Sequence, residues 1–150
     1  MSAYEQFEPD RIKHLEFIQA VVSRLGNNAF LMKGWALTVA GAFFGFAVNN
    51  QDRWLAVASA LPTVTFWGLD TYFLRCERLF RMLYKRVSDR NDEVAPFFMD
   101  ATSPTYLKGL SQEDRNDVSW WRTFRRPTLL LFYGAILISA VVIFAIVVTT

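Results

Sequence analysis

The sequence predicts an all-α fold: a helical integral membrane protein with three transmembrane helices, an N-terminal amphipathic helix and a cytoplasmic helical extension. Three observations lead there. Apolar residues make up 53% of the 150-residue chain and charged residues 20%, a mixture that works only if the two are segregated along the sequence. Apart from Lys33, no charged residue falls between Leu25 and Gln51, a stretch longer than an ordinary globular helix. The last apolar run, Thr128–Val148, carries no charge at all. At this length the chain has room for one unit, residues 1–150.

The elements follow in order. In residues 9–25, "PDRIKHLEFIQAVVSRL", apolar side chains at Ile12, Leu15, Ile18, Val22 and Leu25 recur at steps of three and four. That spacing predicts an amphipathic helix, started by Pro9 and Asp10 and loosened at Gly26-Asn27-Asn28. It is too charged to span a bilayer, and its mixed polar face favours packing against another helix over lying on lipid.

"AFLMKGWALTVAGAFFGFAV" (29–48) is the first span, about 30 Å long at roughly 1.5 Å per residue. "NNQDR" is a polar turn, and "WLAVASALPTVTFWGLDTYFL" (54–74) returns as the second span, with Pro62 expected to kink it. Together, 29–74 is a transmembrane hairpin. The helix is expected to continue into water as "RCERLFRMLYKRV", with Leu79, Leu83 and Val87 on one stripe, and to stop in a loop rich in Pro, Asp and Ser. A short amphipathic helix is predicted over Gln112–Phe124 with Ser111 as N-cap. Trp120, Trp121, Arg122, Arg125 and Arg126 then meet the membrane surface, and Pro127 opens the third span, 128–148.

Orientation follows from the cations. Segment 75–126 carries eleven Lys/Arg, the turn between the first two spans one, and the C-terminal tail none. The excess places the N-terminus and 75–126 in the cytoplasm. The polar start, "MSAYEQFEPDRIKH", argues for a mature N-terminus left there.

Several chemistries are disfavoured. A net charge of +2 is too small to suggest nucleic acid as a partner. A single cysteine, Cys76, and a single histidine, His14, leave no disulfide framework and no metal site. His14 falls on the polar side of its helix and reads as a surface residue. No hydrolase pattern and no phosphate-cradling Gly loop is present, so neither catalysis nor a cofactor is expected.

What stands out is the charge inside the hairpin. Lys33 is eighteen positions before Gln51 and Asp70 nineteen after it, so an antiparallel hairpin brings opposite charges to one depth. They are expected to pair at the cytoplasmic membrane edge, as a structural clamp in preference to a proton or ion site. Trp35 and Trp67 share an interface by the same count. Gly41 and Gly45 form a GxxxG pair at the level of Ala56 and Ala60, a small surface that suits close helix packing. Beyond the span, Arg75, Arg78, Arg81, Lys85 and Arg86 form a basic face. It reads as topology and anionic-lipid attraction, or as a docking face for a cytoplasmic partner or an anionic signal. Glu77 and Arg81 are spaced for an intrahelical pair.

Two stretches carry a resemblance. "HLEFIQAVVSRLGNNAFLMKGW" and "PTVTFWGLDTYFLRCERLFRMLY" resemble a widespread set of small bacterial membrane proteins with the pattern HLxxIQxVxxRxxxNxFxxKGW followed by PxxxFWxLDxYxLxxERxFRxLY. The likeness covers residues 14–84, including His14, Gln19, Arg24, Asn28, Lys33, Gly34, Trp35, Pro62, Trp67, Asp70, Tyr72, Glu77, Arg78 and Arg81. It does not extend to the third span. Members of this family are often found beside mobile-element and phage-defence genes.

The resemblance implies a multi-pass protein of the bacterial inner membrane and an antiviral effector acting on that membrane. Joined to the small-residue face and the apolar third span, the expectation is a pore-forming or otherwise membrane-perturbing homo-oligomer released by a cytoplasmic trigger, with membrane lipids as its surroundings. The alternative is a non-catalytic scaffold that docks a soluble partner through the basic helix and the 88–118 loop.

Overall fold

The computed structural model describes residues 3–89 and 94–149, with side chains from residue 9 onward. Residues 90–93, inside the expected loop, lie outside the described part. The described residues are mostly helical, with turns and an irregular stretch over 94–103 and no strand among them. Seven helices follow in order: α1 (Ala3–Asn49), α2 (Arg53–Ala58), α3 (Ala60–Ser88), α4 (Pro104–Lys108), α5 (Gln112–Asp117), α6 (Trp120–Phe124) and α7 (Pro127–Thr149).

The expected amphipathic helix and first span are one element. α1 runs through Pro9 and through Gly26-Asn27-Asn28 without a break, a length of about 70 Å at 1.5 Å per residue. The weak helix formers at 26–28 hold because tertiary packing outweighs local propensity. Gly26 and Asn28 are half-buried, and the Glu77 carboxylate of α3 lies beside Gly26, about where a Cβ would make ordinary contact.

α1 ends in a Schellman-type cap. The Asp52 N–H donates to Ala47 O at 3.0 Å and the Gln51 N–H to Val48 O at 3.4 Å, with Gln51 in the left-handed region at φ 51°. The Asp52 carboxylate then caps α2 by accepting from Trp54 N at 2.9 Å.

The second expected span is broken. α2 ends at Ala58 and α3 begins at Ala60. The cause is Pro62, which has no N–H to offer Ala58 O and whose ring crowds that carbonyl. As the third residue of α3, Pro62 sits where a missing N–H costs little. Hydroxyls hold the joint: Ser59 Oγ donates to Ala56 O, and Thr63 Oγ1 to Ser59 O, each at 2.7 Å. Among the described residues two helices, not three, are long and apolar enough by themselves to cross a membrane: α1 over Pro9–Asn49, and α7.

α3 packs antiparallel along α1, and α7 packs on α1, α2 and α3. Two cores result. Ala36, Ala40, Trp67, Leu129, Tyr133 and Ile136 form one among the apolar parts of α1, α3 and α7. Ile18, Val22, Leu79, Leu83, Val87, Ala101, Tyr106, Leu110 and Val118 form the other, where α4 and the neighbouring turns close over the polar ends of α1 and α3.

The predicted helix over 112–124 is two short ones. Ser111 does cap the first, its Oγ accepting from Asp114 N at 3.1 Å. The chain turns at Val118-Ser119 because buried Val118 enters the second core, and Arg75 Nε holds its carbonyl at 2.8 Å.

Candidate functional site

The site is built where α1, α3 and α7 meet. Lys33 on α1 and Asp70 on α3 approach to 2.6 Å between Nζ and Oδ2. α7 contributes Tyr133, whose hydroxyl lies 3.1 Å from the same Asp70 oxygen and 3.3 Å from Phe66 O. Asp70 and Tyr133 are both fully buried, while the Lys33 side chain keeps 30% exposure, which suits a stem in the bundle and a head near its edge.

Trp67, one turn before Asp70, lies flat between Phe124 at 4.2 Å and Tyr133 at 5.6 Å between ring centroids. Its Nε1 donates to Phe124 O at 3.1 Å. Trp67 is 8% exposed and serves as an internal brace, whereas Trp35, at 57%, faces outward.

Removing a carboxylate and an ammonium from water costs several kcal/mol per ion, and only close pairing with further hydrogen bonds offsets that cost. Here one oxygen of Asp70 carries all the pairing. Oδ1 is buried without a hydrogen-bond partner. The arrangement joins three helices through one carboxylate, and it contains no nucleophile with an adjacent base. Among the described residues no three His, Cys, Asp or Glu gather in a metal-binding group.

The small-residue pair is elsewhere. Gly41 and Gly45 are exposed, with open space where a Cβ would stand. Ala56 is fully buried and Ala60 half-buried, but on α1 the small residues turned inward are Ala36, Ala40 and Ala47. Helical phase explains the difference. At about 100° per residue, Ala36, Ala40 and Ala47 stand within about 60° of Lys33, while Gly41 and Gly45 stand about 80° and 120° off on the other side.

The basic face is largely engaged within the chain. Arg75 holds Val118 O, Arg78 bonds the Asp117 carboxylate, and Arg81 pairs with Glu77 at 2.7 Å. Arg86 donates to Gly109 O at 2.8 Å and lies over the Tyr106 ring. Lys85 is exposed and makes no such contact among the described residues.

His14 is not a surface residue. It is 4% exposed, and its Nε2 donates to Phe98 O at 2.8 Å. It takes the place on the buried face that the periodicity gave to Ile12, which is 51% exposed. The neighbouring Phe97 adopts φ 57° and stays 46% exposed beside Phe17, at 6.3 Å between rings.

Sequence reasoning missed Tyr133 as the third member of the junction. The signal was depth: Tyr133 is six residues beyond Pro127 and Asp70 four before the Leu74 end of its expected span, so both fall within about 10 Å of the same edge. Comparison with protein-family models, with curated proteins and with solved structures finds no match to this chain.

Proposed function

We propose that the chain is an oligomeric inner-membrane effector of bacterial antiviral defence that perturbs or permeabilises the membrane when a cytoplasmic trigger releases it. The observation that carries the membrane part is the outward apolar surface. Only 17% of the most apolar stretch of α1, and 17% of that of α7, is buried. Phe30, Leu37, Phe46, Leu61, Leu131, Ile138 and Val141 are each at least 60% exposed, and hydrocarbon is the surrounding that suits them.

Under this reading there are three crossings: 29–48 of α1, the broken α2–α3 segment over 54–74, and 128–148 of α7. A broken helix is tolerated at membrane depth where it is packed in protein, and the Ser59 and Thr63 hydroxyls bond the carbonyls of Ala56 and Ser59 on either side of this break. The second core is then the cytoplasmic head.

The defence role is supported by the resemblance of residues 14–84, and self-association by the exposed Gly41–Gly45 face. Membrane potential followed with a voltage-sensitive dye during induction tests the effector reading. Depolarisation together with the trigger supports it, and an intact potential at high expression with the trigger present contradicts it.

A second reading, the non-catalytic scaffold, is favoured by one observation. Phe17 and Phe97 stand together, each about half exposed, on the folded head. Isolation in mild detergent separates the two: a scaffold recovers a stoichiometric soluble subunit, an effector mainly itself.

A further inference from the structure

Asp117, at the end of α5, gathers three arginines from three places in the fold. Arg78 of α3 bonds Oδ2, Arg126 in the link to α7 lies 3.3 Å from Oδ1, and Arg122 of α6 lies 3.9 Å from that oxygen. Among the described residues no second carboxylate pairs with these guanidinium groups, so one negative charge faces three positive. Arg126 Nε is buried without a hydrogen-bond partner, an arrangement that disfavours the isolated cluster.

The surroundings are those of a membrane surface. Trp120 and Trp121 are exposed, with Arg125 over the Trp121 ring at 5.9 Å. Pro127 opens the apolar α7 one residue after Arg126, and Leu131 is 75% exposed.

We propose that this cluster binds the phosphate of an anionic lipid headgroup, chiefly through Arg122 and Arg126. A phosphate supplies the acceptors and the negative charge that the cluster lacks, and guanidinium groups match its oxygens in pairs. The exposed tryptophans set headgroup depth, and the outward leucines at the start of α7 give the acyl chains a surface to follow. That apolar continuation selects a lipid over a free phosphate. The inference rests on the membrane reading above. It also moves anionic recognition away from the α3 basic face, whose cations are mostly engaged within the chain, to the α5–α7 corner.

The full chain in mild detergent is titrated with phosphatidylglycerol, phosphatidylcholine or inorganic phosphate while thermal unfolding is followed. Phosphatidylglycerol is expected to raise Tm and the other two to leave it unchanged. Arg122→Gln, at a site 62% exposed, should retain the fold and need about fivefold more phosphatidylglycerol for the same shift. Lys13→Gln, an exposed cation elsewhere, should match the wild type. Equal shifts with both lipids, an unchanged response in Arg122→Gln, or a full shift with inorganic phosphate would each overturn the site. Failure of the membrane reading is separate: the chain would then be recovered from the aqueous fraction without detergent, and both proposals fall.

Discussion

Asp70 Oδ2 accepts from two helices at once, 2.6 Å from Lys33 Nζ and 3.1 Å from the Tyr133 hydroxyl. The hairpin charges thus fasten α7 as well as each other. A buried carboxylate held this way is sensitive to the loss of either partner and tolerant of the loss of the whole group.

Lys33→Met leaves Asp70 buried and uncompensated and should cost about 3–5 kcal/mol. Lys33→Met combined with Asp70→Leu should recover most of that. Unfolding in detergent measures both; a double variant no more stable than Lys33→Met would mean that the pair does not couple the helices.

Tyr133→Phe removes one donor to a charged acceptor and should cost about 1.5–3 kcal/mol. The loss should shrink in an Asp70→Leu background, where no carboxylate remains. Equal losses in both backgrounds would assign the Tyr133 hydroxyl to Phe66 O alone.

Gly41→Leu and Gly45→Leu meet open space within the protomer. They should leave the Tm of the protomer unchanged or raised by up to about 1 kcal/mol equivalent, since glycine is a poor helix former. If the oligomer is built on that face, crosslinked species should disappear. Unchanged crosslinking in both variants would remove this face from the assembly.

Burial pushes the Tyr106 hydroxyl above its usual value of 10, with Asp114 adding to the effect and Arg86 opposing it. A raised folded-state value means that the neutral form is favoured by folding. This contribution is fully present below about pH 10 and lost as pH rises through the folded-state value. Tyr106→Phe should therefore unfold less readily in alkali. It should also gain about 1 kcal/mol at neutral pH, because the buried hydroxyl has no partner to lose. A Tyr106→Phe variant less stable than wild type at neutral pH would contradict this.

The hairpin was legible because depth in an antiparallel pair is a matter of counting, and the count from Gln51 placed Lys33 beside Asp70. Phase was less legible. An offset of about 80° from Lys33 carries Gly41 off the contact, and the buried small residues of α1 are Ala36, Ala40 and Ala47 instead. Propensity misled at Gly26-Asn27-Asn28, where contact with α3 keeps the helix whole. Periodicity misplaced His14, because a histidine with Phe98 O as acceptor can be buried where a bare pattern expects a polar surface. The Asp117 cluster joins residues 39 to 48 positions apart with α5's neighbours 5 and 9 away, and no local spacing announces it.

The membrane reading with three crossings is tested most directly by labelling single cysteines in a Cys76→Ser background. Asn50→Cys, Lys108→Cys and Thr149→Cys are each exposed, and a membrane-impermeant maleimide reports the side on which each stands. In cells with a permeable outer membrane and an intact inner membrane, positions 50 and 149 should label and position 108 should label only after lysis. Labelling of 50 and 108 from the same side would show that α2–α3 does not cross, and would contradict the account.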